Sequence, residues 1–359
     1  MSLFKQGEKA YLMLADGQIF EGISVGAKGT VYGEVVFTTG VTAYQETITD
    51  PSNYGLIVTQ TFPLIGNYGV NQADSESGAA HLSGYVIREW CNAPSNFRME
   101  GRIDDFLIKN GVVGICNIDT RCLTRIIREK GVMNGVITTE DVYAKKDELL
   151  EKVKAYEIKD AVKAVTAKEA YTVKSDAPKF KVAVLDFGVK KSSINALTAR
   201  GCEVTVLPAS ATADEIKAIA PDGIMLSGGP GDPADNMDIV ENLKEIQKLG
   251  IPMCGFSIGH QLLALANGAT TNKFKYGHRG ANQPVIDLVS GLTHVTCQNQ
   301  GYEVLGDSID SSAAKISYVN ANDKTCEGIR YESIKASTAQ FEADFIYDEF
   351  VAMMNKEVK

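Results

Sequence analysis

The sequence is poor in histidine, and its cysteines form no metal-binding or disulfide pattern. There are four histidines in 359 residues, and the seven cysteines are odd in number, scattered and without a C-x-x-C pair. Disulfide frameworks and zinc sites require paired or closely spaced cysteines, so we expect neither and predict no bound metal. The shortage of histidine also leaves few side chains that can act as a general base near neutral pH.

Long apolar runs and excess positive charge are absent as well. No run of about 18 apolar residues is present, and residues 1–8 lack the apolar core of a signal peptide. The net charge of -9 disfavours binding to nucleic acids or anionic membranes, because both surfaces repel an acidic protein. We therefore expect a cytoplasmic protein that binds neither nucleic acid nor membrane.

The length and a change in patterning predict two domains. Residues 1–150 alternate short β-branched segments with glycine turns, which predicts a sheet-rich α+β domain with hairpins. Two helices closed by glycine are predicted at 104–111 and 120–131. On the second helix Arg121, Arg125 and Arg128 share one face, which favours a solvated or partner-facing surface over an anion site. Residues 151–178 are predicted to be a linker.

Residues 179–359 show strands alternating with helices, the pattern of a doubly wound, mostly parallel α/β sheet. Strands are predicted at 181–186, 203–207 and 223–226, with a further strand ending near Cys254. After Gly268 the chain becomes rich in β-branched segments, and an amphipathic helix at 345–355 closes it. Functional loops in such folds emerge beyond the carboxyl ends of the parallel strands.

Residues 251–265 stand out within this second domain. An apolar run stops at Gly255, a lone Ser257 follows, and after Gly259 the apolar spacing becomes that of a helix. Small residues on both sides of the serine permit the sharp strand-to-helix turn that exposes a nucleophile. The loop 227–233 is glycine-rich and lies one βα unit earlier, so its backbone N–H groups are candidates for an oxyanion hole.

A serine hydroxyl needs a base to act as a nucleophile. None of the four histidines lies in the late strand-to-helix loop where a triad histidine is expected. His81, His260 and His294 are therefore interpreted as structural, and His278 is the least certain of the four.

Several motifs together resemble the carbamoyl-phosphate synthetase small subunit family, whose second domain is a class I glutamine amidotransferase. The similar segments of the second domain are 182–188, 226–233, 255–261 and 274–284. The first domain is similar to that family's amino-terminal domain at 33–46, 49–52, 66–71, 94–98 and 118–125. The resemblance spans nearly the whole chain.

The resemblance implies a subunit that hydrolyses glutamine at a Cys-His-Glu triad and passes ammonia to a large subunit for carbamoyl phosphate synthesis in the pyrimidine and arginine pathways. No cofactor is implied on this chain, whereas ATP and magnesium are expected on the large subunit. Carried over by motif, the implied glutamine-binding positions are Gly40, Gly229, Gly231, Ile258, Gln261, Asn299, Gly301 and Tyr302.

The triad itself departs from the family pattern. Ser257 stands in the position of the nucleophilic cysteine, and residues 340–344 read Gln-Phe-Glu-Ala-Asp where the family has Gln-Phe-His-Pro-Glu. The family histidine and glutamate thus have no counterpart in this sequence. Glu342 in turn has no histidine to orient. We expect glutamine hydrolysis by this chain to be absent or severely impaired, with the large subunit using free ammonia.

Two other hypotheses remain open from the sequence. The chain is alternatively a non-catalytic glutamine-binding or scaffold protein for the large subunit. The segment Gly255-Phe-Ser-Ile-Gly259 also matches the G-x-S-x-G elbow of a serine esterase, although no downstream triad histidine supports that interpretation.

Overall fold

The computed structural model describes residues 7–355 of the chain. The expectation about a signal peptide concerned residues 1–8 and therefore falls mostly outside the described part. The chain divides into two compact units, Met1–Lys159 and Asp160–Lys359. Between residues 7 and 355, no helix combines the length and apolarity needed to cross a membrane.

The first unit contains the strands β1 (Lys9–Leu14), β2 (Ile19–Gly26), β3 (Thr30–Thr38), β4 (Leu56–Gln60), β5 (Leu64–Ile65), β6 (Gly84–Val86), β7 (Glu89–Trp90), β8 (Val113–Cys116) and β9 (Met133–Thr138). Seven of them form a closed barrel in the order β1-β2-β8-β6-β4-β3-β9, and β5 pairs with β7 in a separate two-stranded sheet. β1 and β2 form a hairpin, as predicted for this part of the chain. β3 and β4 run parallel, so their carboxyl ends meet at one edge of the barrel.

Four α-helices accompany these strands along the described residues: α1 (Tyr44–Thr49), α2 (Ile103–Lys109), α3 (Thr120–Lys130) and α4 (Lys146–Ala155). α3 begins at the cap residue Asp119, whose carboxylate accepts from Cys122 N at 2.9 Å, and ends at Gly131. The α3 side chains Leu123 and Ile127 are fully buried. The opposite face of α3, which carries the arginines, therefore points to solvent.

The second unit contains a ten-stranded sheet in the order β10-β12-β11-β13-β14-β19-β18-β16-β15-β17. Its strands are β10 (Tyr171–Val173), β11 (Phe180–Asp186), β12 (Cys202–Pro208), β13 (Gly223–Leu226), β14 (Met253–Phe256), β15 (Thr271–Asp287), β16 (Thr293–Val304), β17 (Ala314–Asn320), β18 (Cys326–Tyr331) and β19 (Ala336–Ala339). Its helices are α5 (Ala161–Val165), α6 (Lys191–Ala199), α7 (Ala213–Ile219), α8 (Met237–Ile246), α9 (Ile258–Ala266) and α10 (Asp344–Met354).

Only the middle of this sheet is parallel. β12, β11, β13, β14 and β19 run parallel to their neighbours in that segment. The remaining strands pair antiparallel with their neighbours. Among them, β15 and β16 form one long hairpin. The prediction of a mostly parallel sheet thus holds for the five-stranded segment alone, since hairpin connections dominate after Gly268.

Both faces of the parallel segment are buried. Val182 and Val184 of β11 pack into one apolar cluster with α6 and α10, whereas Ala183 and Leu185 pack into another with α7, α8 and α9. Alternate side chains of a strand point to opposite faces, so helices cover both sides. The sequence reflects this packing in the uninterrupted apolar run of β11.

The segment predicted as a linker, residues 151–178, contains regular structure. It includes the end of α4, all of α5 and β10, which pairs antiparallel with β12. Leu149 and Val153 of α4 are buried against β1 and β9. Their spacing in the sequence is that of a helix, whereas the lysines and glutamates around them suggest a linker.

Candidate functional site

A sharp elbow connects β14 to α9 and places Ser257 at its tip. Ser257 has φ 48° and ψ −115°, a conformation that a residue other than glycine keeps only when its surroundings hold it. Its backbone N–H donates to Ala339 O at 3.0 Å, and its carbonyl accepts from Gln261 N at 3.1 Å. The elbow predicted from the sequence is therefore present, and it is held from both sides.

Two glycines near the elbow allow backbone segments to approach closely. A β-carbon on Gly259 would lie 2.5 Å from the carbonyl oxygen of Leu226, and one on Gly229 would lie 2.0 Å from the carbonyl oxygen of Phe187. A residue with a side chain would not fit at either position. Glycine at these positions lets α9 and the 227–231 loop pack against the ends of neighbouring parallel strands.

The 227–231 loop, the elbow and Glu342 lie close together. The β-carbon position built at Gly228 is 3.7 Å from Ser257 Cβ and 3.9 Å from Glu342 Oε1. Because β13, β14 and β19 are adjacent parallel strands, the segments that follow them emerge at the same edge of the sheet. The structure thus gathers a hydroxyl, a glycine loop and a carboxylate.

The carboxylate of Glu342 is engaged by three groups. Lys190 Nζ lies 3.0 Å from Oε1, while Ser193 Oγ donates to Oε2 at 2.6 Å and Tyr347 OH donates to Oε2 at 2.7 Å. Burial acts to raise the pKa of Glu342, but the charge of Lys190 and these hydrogen bonds outweigh it and hold the pKa below its ordinary value. Glu342 is therefore a fixed anion at neutral pH.

His260 and His278 both form hydrogen bonds with residues other than Ser257 and Glu342. His260 is fully buried on α9, its Nδ1 lies 2.8 Å from Thr338 Oγ1, and burial lowers its pKa to about 3. His278 contacts Glu327 Oε1 at 3.1 Å and Asp323 Oδ2 at 2.8 Å. Burial acts to lower the pKa of His278, but the hydrogen bonds and charges of these two carboxylates outweigh it and raise the pKa.

The other two histidines also contact residues other than Ser257 and Glu342. His81 Nε2 lies 2.9 Å from Ser77 Oγ in the first unit, and the ring of His294 packs at a 33° tilt against Phe345 with centroids 4.6 Å apart. All four histidines of the chain fall within the described residues. None of them forms a hydrogen bond or ion pair with the elbow serine or with Glu342, and the serine hydroxyl has no hydrogen-bond partner among residues 7–355.

The residues predicted to bind glutamine lie in several segments. Gly229 and Gly231 belong to the loop after β13, and Ile258 and Gln261 to the first turn of α9. Gln261 Nε2 donates to Tyr302 O at 2.9 Å, which joins α9 to the β16 segment that also holds Asn299 and Gly301. Gly40 lies after β3 in the first unit. Their role as a glutamine pocket remains a prediction.

Sequence reasoning missed the side chains that surround Glu342. Lys190 follows the carboxyl end of β11, and active-site loops converge at the carboxyl ends of parallel strands. Its position in the sequence could therefore have indicated a site residue. Ser193 and Tyr347 gave no such signal, because they approach Glu342 from two different helices. Among the described residues, no group of three or more His, Cys, Asp or Glu side chains has metal-binding geometry.

Comparison with known proteins identifies the families that the two parts of the chain match. Residues 183–350 match the family model described as "Glutamine amidotransferase class-I", and residues 12–137 match "Carbamoyl-phosphate synthase small chain, CPSase domain". The carbamoyl phosphate synthase small chain of Listeria monocytogenes serotype 4b is 44% identical over 357 residues, covering 97% of both chains. That of Syntrophotalea carbinolica is 44% identical and covers 97% of this chain and 98% of its own.

The second unit is thus a class-I glutamine amidotransferase domain, a family that needs no cofactor. The whole chain belongs to the carbamoyl-phosphate synthase small chain family. A third relative, the small chain of Clostridium perfringens strain 13, is 42% identical and covers 96% of this chain and 99% of its own.

Proposed function

We propose that this chain is the small subunit of a cytoplasmic carbamoyl-phosphate synthase and that it hydrolyses glutamine slowly or not at all. One observation supports the second part: the carboxylate beside the elbow is bound by Lys190, Ser193 and Tyr347, with no histidine between it and Ser257. The large subunit, which carries the ATP and magnesium sites, then uses free ammonia for carbamoyl phosphate synthesis.

The chemistry of glutamine hydrolysis explains why the missing base matters. An aliphatic hydroxyl is negligibly ionised at neutral pH, so Ser257 requires a neighbouring base before it attacks an amide. The departing ammonia requires a proton from the same group. Lys190 does not supply this base, because its ammonium is held against the Glu342 anion. The same deficiency argues against a serine esterase.

We further propose that the glutamine-sized pocket is retained. The glycine loop lies next to the elbow, since a β-carbon on Gly228 would lie 3.7 Å from Ser257 Cβ, so the backbone N–H groups of the loop are candidates for binding a substrate oxyanion. The proposed contact residues are Gly40, Gly229, Gly231, Ile258, Gln261, Asn299, Gly301 and Tyr302. Glutamine binding without turnover is the expected behaviour.

Ammonia release from glutamine tests this proposal directly. The purified chain is assayed alone and with a carbamoyl-phosphate synthase large chain, beside a cysteine-containing relative as positive control. Loss of a core triad member lowers turnover by up to about 10⁶-fold, so we expect release near background in both cases. Turnover within tenfold of the relative would overturn the proposal. If adding the chain leaves ammonia-dependent synthesis by the large chain unchanged, a scaffold role is favoured instead.

A further inference from the structure

A basic cavity lies on the first unit, far along the chain from the elbow. It has a volume of about 500 Å³ and is lined by Phe37, Thr39, Thr61, Arg121, Thr124, Arg125, Arg128 and Glu129. It forms where the exposed face of α3 meets the carboxyl ends of the parallel strands β3 and β4. The glutamine site uses none of these residues.

The three arginines form a stripe along α3. Arg121, Arg125 and Arg128 occupy positions i, i+4 and i+7, which share one helix face and span about 10 Å. All three side chains are exposed. Arg125 has one ion pair, a 3.8 Å contact with Glu129 in which both side chains are about 70% exposed, and neither Arg121 nor Arg128 has an ion pair among residues 7–355. These charges are therefore available to a partner.

Two of the three threonines that line the cavity direct their hydroxyl protons at the backbone. Thr61 Oγ1 donates to Thr38 O at 2.9 Å, and Thr124 Oγ1 donates to Thr120 O at 2.7 Å. The guanidinium groups supply the positive charge of the cavity. Exposed guanidinium groups bind weakly in water, so a strong interaction needs a partner that covers them and excludes solvent.

We propose that this stripe, Arg121, Arg125 and Arg128, docks a carboxylate-rich segment of the carbamoyl-phosphate synthase large chain. Guanidinium forks pair with carboxylates in bidentate geometry, and arginines buried on association are common energetic centres of interfaces. The chain carries a net charge of -9, so an acidic partner is repelled elsewhere and is oriented towards this stripe. The partner's identity rests on the proposed function.

Charge reversal tests the inference. The variant R121E/R125E/R128E is compared with K109E/K146E/K154E, which makes the same change of charge at exposed lysines of α2 and α4. The Kd for the large chain is measured by biolayer interferometry at 50 and 250 mM KCl. We expect the arginine variant to bind at least about 100-fold more weakly with a reduced salt dependence, and the lysine variant to bind within about threefold of the unchanged chain.

The possible outcomes separate this inference from the proposed function. Equal affinity of the two variants for the large chain overturns the docking role of the stripe and leaves the partnership intact. No binding by the unchanged chain overturns the partnership, and the inference with it. Binding of inorganic pyrophosphate that the arginine variant loses, with large-chain affinity unchanged, shows a small-anion site instead. R121A/R125A/R128A, which should show an intermediate loss, provides a second variant if reversal disturbs folding.

Discussion

Lys190 Nζ lies 3.0 Å from Oε1 of Glu342, across 152 positions of sequence, at the edge of the sheet where Ser257 emerges. In a working amidotransferase of this family, the resemblance implies that a histidine and a glutamate face the nucleophile there. In this chain the carboxylate is instead neutralised by a lysine and bound by two hydroxyls. Among the described residues, the charge of the Glu342 carboxylate is thus balanced by Lys190, and no histidine contacts it.

The substitution Ser257→Cys should not restore glutamine hydrolysis. A thiol is more acidic than a hydroxyl, but it still lacks a neighbouring base and a proton donor for ammonia. We expect ammonia release by the variant to stay at least about 10³-fold below that of a cysteine-containing relative. An assay of ammonia release at pH 7.5 measures this, with Ser257→Ala as the background control. Ammonia release within tenfold of the relative would contradict the proposed absence of a base.

Removing the cation beside Glu342 should destabilise the second unit. Lys190→Met leaves a largely buried carboxylate without its ion pair, a change that costs about 1–3 kcal/mol in the free energy of unfolding once partial exposure is allowed for. Lys191→Met, at the exposed neighbouring position, is the matched control and should cost less than about 0.5 kcal/mol. Urea unfolding at pH 7 measures both, and equal effects would rule out a specific ion pair.

The same pair predicts an acid dependence of stability. The pKa of Glu342 is held below its ordinary value of 4.5, so its ion pair and hydrogen bonds stabilise the fold above that pH. This contribution is lost as the pH falls from 4.5 through the lowered pKa. Glu342→Gln should therefore show a weaker decline in unfolding free energy between pH 5 and pH 3 than the unchanged chain. An identical decline would mean that the carboxylate is not stabilised as an anion.

The buried His278 network predicts a pH dependence of opposite sign. Its pKa is raised above 6.5 by Glu327 and Asp323, so the protonated ring stabilises the fold fully below 6.5. That stabilisation is lost as the pH rises through the raised pKa. We expect His278→Gln to reduce the fall in unfolding free energy between pH 6 and pH 9 relative to the unchanged chain. Urea titrations across this range compare the two proteins, and an identical fall would contradict the prediction.

Gly259→Ala tests how closely α9 must approach the sheet. The added methyl would lie 2.5 Å from Leu226 O, and backbone atoms do not yield cheaply. We expect a loss of about 1–3 kcal/mol in the free energy of unfolding. Gly78→Ala is the control, because nothing lies within 4 Å of its β-carbon position. Thermal unfolding of the two variants gives the comparison, and equal stability would show that the elbow is less tightly packed.

Local pattern predicts much of the second unit but not the partners of Glu342. The β11 strand, the 227–231 loop and the Ser257 elbow follow from apolar periodicity and glycine placement over short stretches. Ser193 and Tyr347 reach Glu342 from α6 and α10, and such contacts across a fold have no local signature.

Carbamoyl phosphate synthesis by the complex of this chain with a large chain distinguishes the proposed function from an active glutaminase. The rate is measured with glutamine or with ammonium chloride as the nitrogen source, at saturating bicarbonate and MgATP. We expect synthesis with ammonium chloride and a glutamine-dependent rate at least about 10³-fold lower. A glutamine-dependent rate comparable to the ammonium-dependent rate would contradict it, because that result requires a working base beside Ser257.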